Sequence, residues 1–189
     1  MTEKLTRFAL ICLCVLPVWL IIRKPWKRPI KREIALCLFV MYIAALLAMA
    51  LEGAWTSPAA MLQSARERLS TGEGLRFTPF ETIRLQLNSI HTDESRTQLL
   101  GNTVLFMPWG FFLPLLWKRF RRFLPVAGMC LALTCFIEFT QLFIGRTVDV
   151  DDLLLNFLGS MLGAGLWRLF SKLFPKAGGA SPSPTHQGG

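Results

Sequence analysis

Between positions 138 and 156 the chain places Glu138, Gln141, Arg146, Asp149, Asp151, Asp152 and Asn156. Four carboxylates, one guanidinium and two carboxamides in so short a stretch could grip an ion, hold a polar head group or move a proton. Their spacing is helical. Glu138 and Gln141 stand three apart and share a face. Asp149, Asp152, Asn156, Gly159 and Gly163 step by 3, 4, 3 and 4, so one helix face would carry two carboxylates, an amide and two glycines. Glycines at that spacing let another backbone approach closely. Asn102 joins the set from further upstream.

These polar residues border long apolar runs, where a buried polar group is costly and needs a reason. Counted along a helix at about 1.5 Å per residue, Glu138 lies roughly 9 Å inside the end of its run. A carboxylate there needs a proton or a cation, and Arg146 is the expected partner, shared with Asp149 and Asp152. Four carboxylates against one arginine leave an anionic excess, which a divalent cation or a cationic ligand group could offset. The plainer reading is a structural clasp joining the third, fourth and fifth runs. A clasp could be built from Ser and Thr at lower cost, so a ligand-binding site of Asn102, Glu138, Gln141, Arg146, Asp149, Asp152 and Asn156 is the preferred reading. All of them fall in one outer third of the bilayer. A transporter or scramblase would need polar groups at the midplane, which argues against that class.

The elements that must position these groups are membrane helices. The chain has 189 residues, 52% of them hydrophobic, with a mean hydropathy of +0.43. Its charges sit in blocks between five apolar runs: Leu5–Ile22, Ile34–Leu51, Leu99–Trp117, Phe123–Ile144 and Leu153–Phe170. As helices they reach roughly 27 to 33 Å, against a hydrocarbon core about 30 Å thick. The expected fold is therefore all-α, a bundle of five transmembrane helices forming one membrane domain over 1–174. The third run, with Asn102, Pro108, Gly110 and Pro114, is expected to kink. The fourth is the simplest neighbour for the glycine face of the fifth. Run one resembles a signal peptide but leads directly into Arg23, Lys24, Lys27 and Arg28 without a cleavage site, so an uncleaved helix is expected.

The net charge of +9 clusters at the ends of runs, where it sets orientation and meets anionic lipid. Nucleic acid is not an expected partner. The basic loops predict an N-terminus outside and a C-terminus in the cytoplasm, with the loop from Glu52 to Gln98 outside. Trp19, Trp26, Trp117 and Trp167 would mark the inner interface and Trp55 the outer. Within the long loop, Ser57 and Pro58 open a helix that Gly72 closes. Thr78, Pro79 and Glu81 read as a second helix start with a capping box. Phe80, Ile83, Leu87 and Ile90 would share its apolar face, laid in the interface or packed on the protein. Residues 175–189 read as a disordered cytoplasmic tail. Cys12, Cys14, Cys37, Cys130 and Cys135 lie inside apolar runs with no CxxC spacing, and read as small apolar residues. No cofactor or metal is called for.

Four motifs then carry a resemblance. Gly101-Asn102 through Phe106, Pro108 and Gly110 resembles the GN-x-x-x-F-x-P-x-G segment of the VanZ-like family. Glu138 to Gln141 is similar to its E-x-x-Q. Arg146, Asp149, Asp152, Asn156 and Gly159 match R-x-x-D-x-x-D-x-x-x-N-x-x-G, and Pro79-Phe80-Glu81-Thr82-Ile83 is like the preceding P-F-x-T-I. The motifs span 78–165. The family takes its name from a membrane protein associated with resistance to teicoplanin, a lipoglycopeptide. The resemblance thus implies a cell-envelope membrane protein that binds a lipid, a lipid-linked cell-wall precursor or a lipoglycopeptide near the outer leaflet. The alternative is an intramembrane enzyme acting on a lipid-linked substrate, with Glu138 as acid or base and Asp149 and Asp152 holding a metal or water. The chain has no G-x-S-x-G, no HExxH and no histidine in a helix, which disfavours the enzyme.

Overall fold

The computed structural model describes residues 30–51 and 57–174, and these are almost entirely helical. In chain order they form α1 (Ile30–Ala50), α2 (Pro58–Thr71), β1 (Leu75–Arg76), α3 (Glu81–Asn88), α4 (Asp93–Leu116), a 3₁₀ turn (Lys118–Arg121), α5 (Phe123–Phe143), β2 (Val148–Asp149) and α6 (Val150–Leu173). Four helices, α1, α4, α5 and α6, are long and apolar enough to cross a bilayer. The expected first span, Leu5–Ile22, lies outside the described residues, as do Trp19, Trp26, Trp55, Cys12, Cys14 and the tail.

Two spans begin earlier than their apolar runs. α1 is helical from Ile30, four residues ahead of its apolar run at Ile34. α4 starts at Asp93, where the Thr92 hydroxyl caps it by accepting from the Ser95 amide, so a polar turn and a half precedes the apolar stretch. α4 continues as one helix through Pro108 and Pro114. Ser57 caps α2 as expected, accepting from the Ala60 amide, and Gly72 ends it in the left-handed conformation at φ 74°.

The tightest packing is between α4 and α6, and it is set by missing side chains. A Cβ on Gly159 would fall 2.0 Å from the Thr103 carbonyl oxygen, one on Gly163 2.0 Å from that of Met107, and one on Gly110 1.8 Å from that of Ser160. The glycine face of α6 therefore packs on α4, not on α5 as chain proximity suggested, because Gly110 supplies the reciprocal gap on α4 alone. α5 lies against the neighbouring side of α6. α1 closes the bundle through Phe39, whose ring meets Trp109 at 5.6 Å, Phe112 at 5.9 Å and Trp117 at 5.6 Å. The Tyr42 hydroxyl donates to the Leu105 carbonyl at 2.7 Å. Trp167 is buried, with the Arg121 guanidinium of the basic 3₁₀ turn 5.9 Å from its ring. Among the three described cysteines, Cys130 is fully buried but Cys135 is exposed on the outside of α5.

Two classes of glycine should separate on substitution. Gly159→Ala and Gly163→Ala force backbone apart and should each cost about 1–3 kcal/mol or more. Gly128→Ala and Gly165→Ala, with nothing within 4 Å of the new methyl, should be neutral or stabilising by up to about 1 kcal/mol. Thermal unfolding of the four variants in one detergent, read as a Tm shift of opposite sign, checks this.

Candidate functional site

The polar cluster is assembled at the end of the bundle where α6 begins. Asp149 is the N-cap of α6, its carboxylate accepting from the Asp151 amide at 2.9 Å. The chain just before it forms a two-residue parallel bridge with the 75–76 segment, pairing Leu75 with Val148 and Arg76 with Asp149. The Val148 amide donates to the Gly74 carbonyl at 2.8 Å. The Arg68 guanidinium donates to the Gly145 carbonyl. The loop after α2 is thereby strapped across the start of α6.

Each carboxylate then finds donors close by. Glu138, buried on α5, accepts from the Asp149 amide at 3.1 Å. Asp149 also accepts from the Thr82 hydroxyl at 2.6 Å, and Thr82 in turn accepts from Arg76 at 3.4 Å. Asp152 accepts from the Asn102 amide of α4 at 2.5 Å. Asp151 is wholly buried and accepts from the amides of Phe80 at 2.6 Å and Ile83 at 3.0 Å. A carboxylate placed on the free amides of a helix start is favoured by charge-assisted bonding and by the helix dipole.

That last contact overturns the expected capping box. The residue preceding α3 is Phe80, held at φ 66° with no side-chain cap. Thr78 and Pro79 remain in the loop before it. Asp151 supplies the cap from another part of the chain. α3 turns Thr82 and Gln86 inward and leaves Glu81, Arg84 and Asn88 exposed. Of the expected apolar face, Ile83 is half-buried while Phe80, Leu87 and Ile90 face outward.

Arg146 departs from expectation too. Its guanidinium donates to the Met49 and Ala50 carbonyls at 3.2 and 3.3 Å, capping the end of α1, where helix carbonyls lack intrahelical partners. It still borders the cluster. Arg76, Gln141, Gly145, Arg146, Thr147, Asp149 and Asp152 line an open cavity of about 490 Å³. Four of the seven expected site residues, Gln141, Arg146, Asp149 and Asp152, face it. Asn102 and Glu138 stand behind it as hydrogen-bond partners. Asn156 lies deeper, with its Oδ1 buried and without a hydrogen-bond partner among the described residues.

Sequence reasoning missed Arg76, an isolated basic residue in a loop, and the buried roles of Thr82 and Asp151. Polar groups also reach further into the bundle than expected. Thr134, Cys130 and Ser160 are buried together below Glu138 and Asn156, with the Ser160 hydroxyl 3.0 Å from Cys130 Sγ. These groups are small, and Thr134 and Ser160 also lean on backbone carbonyls, so they escaped a search for charged and amide side chains. Among the described residues no three His, Cys, Asp or Glu side chains are grouped to hold a metal ion. Protein donors meet Glu138, Asp149 and Asp152, the acids whose charge a divalent cation or a cationic ligand group was expected to offset.

The model of the VanZ/LLP1 family matches residues 9–171. The chain belongs to the VanZ/LLP1 family. With four helices able to cross a bilayer, it is a multi-pass membrane protein of that family. No curated protein and no solved structure gives a significant match.

If Asp151 holds α3 in place, Asp151→Ala leaves two amides of a buried helix start without acceptors. That should cost about 1–3 kcal/mol for each unpaired group. Asp151→Asn, which keeps one acceptor, should cost less. Limited proteolysis of detergent-solubilised protein should show faster cleavage between 72 and 92 in the alanine variant, with intermediate rates for asparagine.

Proposed function

We propose that the cavity beside α6 holds the polar head of a membrane amphiphile: a lipid, a lipid-linked cell-wall precursor or a lipoglycopeptide. The observation that carries this is the makeup of the cavity wall. Arg76 and Arg146 offer guanidinium donors suited to a phosphate or carboxylate, while Asp152 and Gln141 can accept from hydroxyl or ammonium groups. A volume of about 490 Å³ falls within the range of small-molecule sites, roughly 300–1,000 Å³. The cavity opens at the end of an apolar bundle, which suits a ligand with one polar and one oily part. The Lys/Arg bias of the loops puts this end outside, with the N-terminus outside and the C-terminus cytoplasmic. That orientation favours ligands of the outer leaflet.

Binding is preferred over catalysis because most of the acids are already committed. Glu138 accepts from a backbone amide, and both Asp149 oxygens accept hydrogen bonds. A general base must reach its substrate, and of the cavity-lining acids Asp152 alone is not closed in by the strap. The enzyme reading, with Glu138, Asp149 and Asp152 acting together, would need that ring of bonds to open.

Teicoplanin carries an acyl chain that vancomycin lacks, so a contribution to teicoplanin resistance is the phenotype to seek. In a susceptible Gram-positive host the native protein should raise the inhibitory concentration of teicoplanin and leave that of vancomycin unchanged. Asp152→Asn keeps the acceptor for Asn102 and removes the charge. Arg76→Gln removes a cavity guanidinium. Either variant, at matched expression, should lose most of the protection. Full protection by both variants would show that the cavity is not the working site. No protection by the native protein would detach this member from the resistance phenotype.

A further inference from the structure

Among the described residues, Phe80 and Leu87 of α3 and Phe77 just before it stand exposed near the cavity, beside a polar strip of Glu81, Arg84 and Asn88. Phe77 is 68% exposed, Phe80 64%, Leu85 58% and Leu87 49%. Phe80 holds its ring outward from a backbone at φ 66°, a conformation disfavoured for a bulky side chain. Glycine would sit there without strain, so the aromatic ring is retained against the local preference of the backbone.

We propose that this face docks into the bilayer, so that α3 lies in the membrane interface with acyl chains against Phe77, Phe80 and Leu87. The tethers of α3 fix its depth. Its first amides are bound by Asp151, one residue into the apolar helix α6. Its far end passes through Ser89, Thr92 and Ser95, which hydrogen-bond to one another, into α4 just ahead of the apolar stretch Leu99–Leu116. Both ends thus sit level with the ends of spans, and the helix between them runs along that boundary. The spans it is tethered to also expose apolar side chains, Leu100 and Val104 on α4 and Leu154 and Leu158 on α6. An interfacial helix normally turns a polar face to water. Here Glu81, Arg84 and Asn88 form that exposed polar strip beside Phe80 and Leu87, while Thr82 and Gln86 turn to the protein.

The consequence concerns access. Arg76 lines the cavity, and Phe77 beside it faces out. The cavity would then border the leaflet through the 76–80 segment, and a ligand could keep its acyl chain in the bilayer while its head occupies the site. The docking itself does not depend on the head-group reading, since it concerns only which solvent covers α3.

The test uses the full chain in vesicles of phosphatidylcholine containing a small fraction of the same lipid with a diazirine in its acyl chain. After illumination, adducts are mapped by mass spectrometry. In parallel, hydroxyl-radical footprinting measures water access to the same residues. The expected result is acyl adducts on residues 77–90 comparable in yield to those on the exposed Phe136 and Phe139 of α5, with Phe77 and Phe80 oxidised several-fold less than in detergent-free denatured protein. Adducts on α5 but none on 77–90, together with free oxidation of Phe77 and Phe80, would overturn the proposal.

Discussion

Burial of four carboxylates at one end of an apolar helix bundle is the constraint on which the rest of the arrangement turns. Glu138, Asp149 and Asp151 are almost fully removed from solvent, and Asp152 is half-buried. Unpaired, each would carry a desolvation penalty of several kcal/mol. The fold meets this with a strap. Residues 72–83 cross over the start of α6 and deliver the Thr82 hydroxyl, the amides of Phe80 and Ile83, and the β-bridge that fixes Asp149. The long loop between α1 and α4 is therefore part of the site and not a tether between spans. The burial of Thr82 on α3 follows from the same demand, since its hydroxyl donates to Asp149.

The close approach of α4 and α6 is the second half of this arrangement. Gly110, Gly159 and Gly163 remove the side chains that would separate the two backbones. With the helix axes drawn together, Asn102 on α4 reaches Asp152 on α6 with a single amide. Larger residues at the glycine positions would move Asn102 away, leaving Asp152 without its donor. Packing near the middle of the bundle and hydrogen bonding at its end are thus coupled through the rigidity of two helices.

Much of this was legible in the sequence because it depends on local rules. The four described spans follow from apolar runs of bilayer length, and α2 from Ser57-Pro58 at one end and Gly72 at the other. The residues around the cavity follow from the cost of placing Glu138, Asn102 and Asp152 beside lipid. Partner choice was not legible. Arg146 seemed committed to Glu138 by charge, but the carbonyls at the end of α1 compete for it, and that competition exists only once α1 has docked. Asp151 looked like an ordinary acid in the first turn of a helix, because capping another helix leaves no mark at its own position. The capping box at Thr78 failed for the complementary reason: a stronger acceptor arrives from 71 residues away. Local sequence specifies what a segment can do alone, and a buried carboxylate elsewhere outweighs it.

The ring of hydrogen bonds also divides the polar residues by what remains available to a ligand. Glu138, Asp149 and Asp151 bond inward to amides and to a hydroxyl, and their charge is spent on holding the strap. Asp152, Gln141, Arg76 and Arg146 line the cavity, and each of the two arginines is anchored by weak bonds longer than 3.1 Å. A guanidinium has five donors in a fork, so Arg76 and Arg146 can keep these anchors and still meet an anionic group between them. In the proposed site the bonded inner ring would be the support that holds the cavity-lining residues near the positions a ligand requires. The motif that runs from Arg146 to Gly159 interleaves both kinds of residue with the packing glycine. That interleaving is why so short a stretch of chain is at once a helix cap, a clasp and one wall of the cavity.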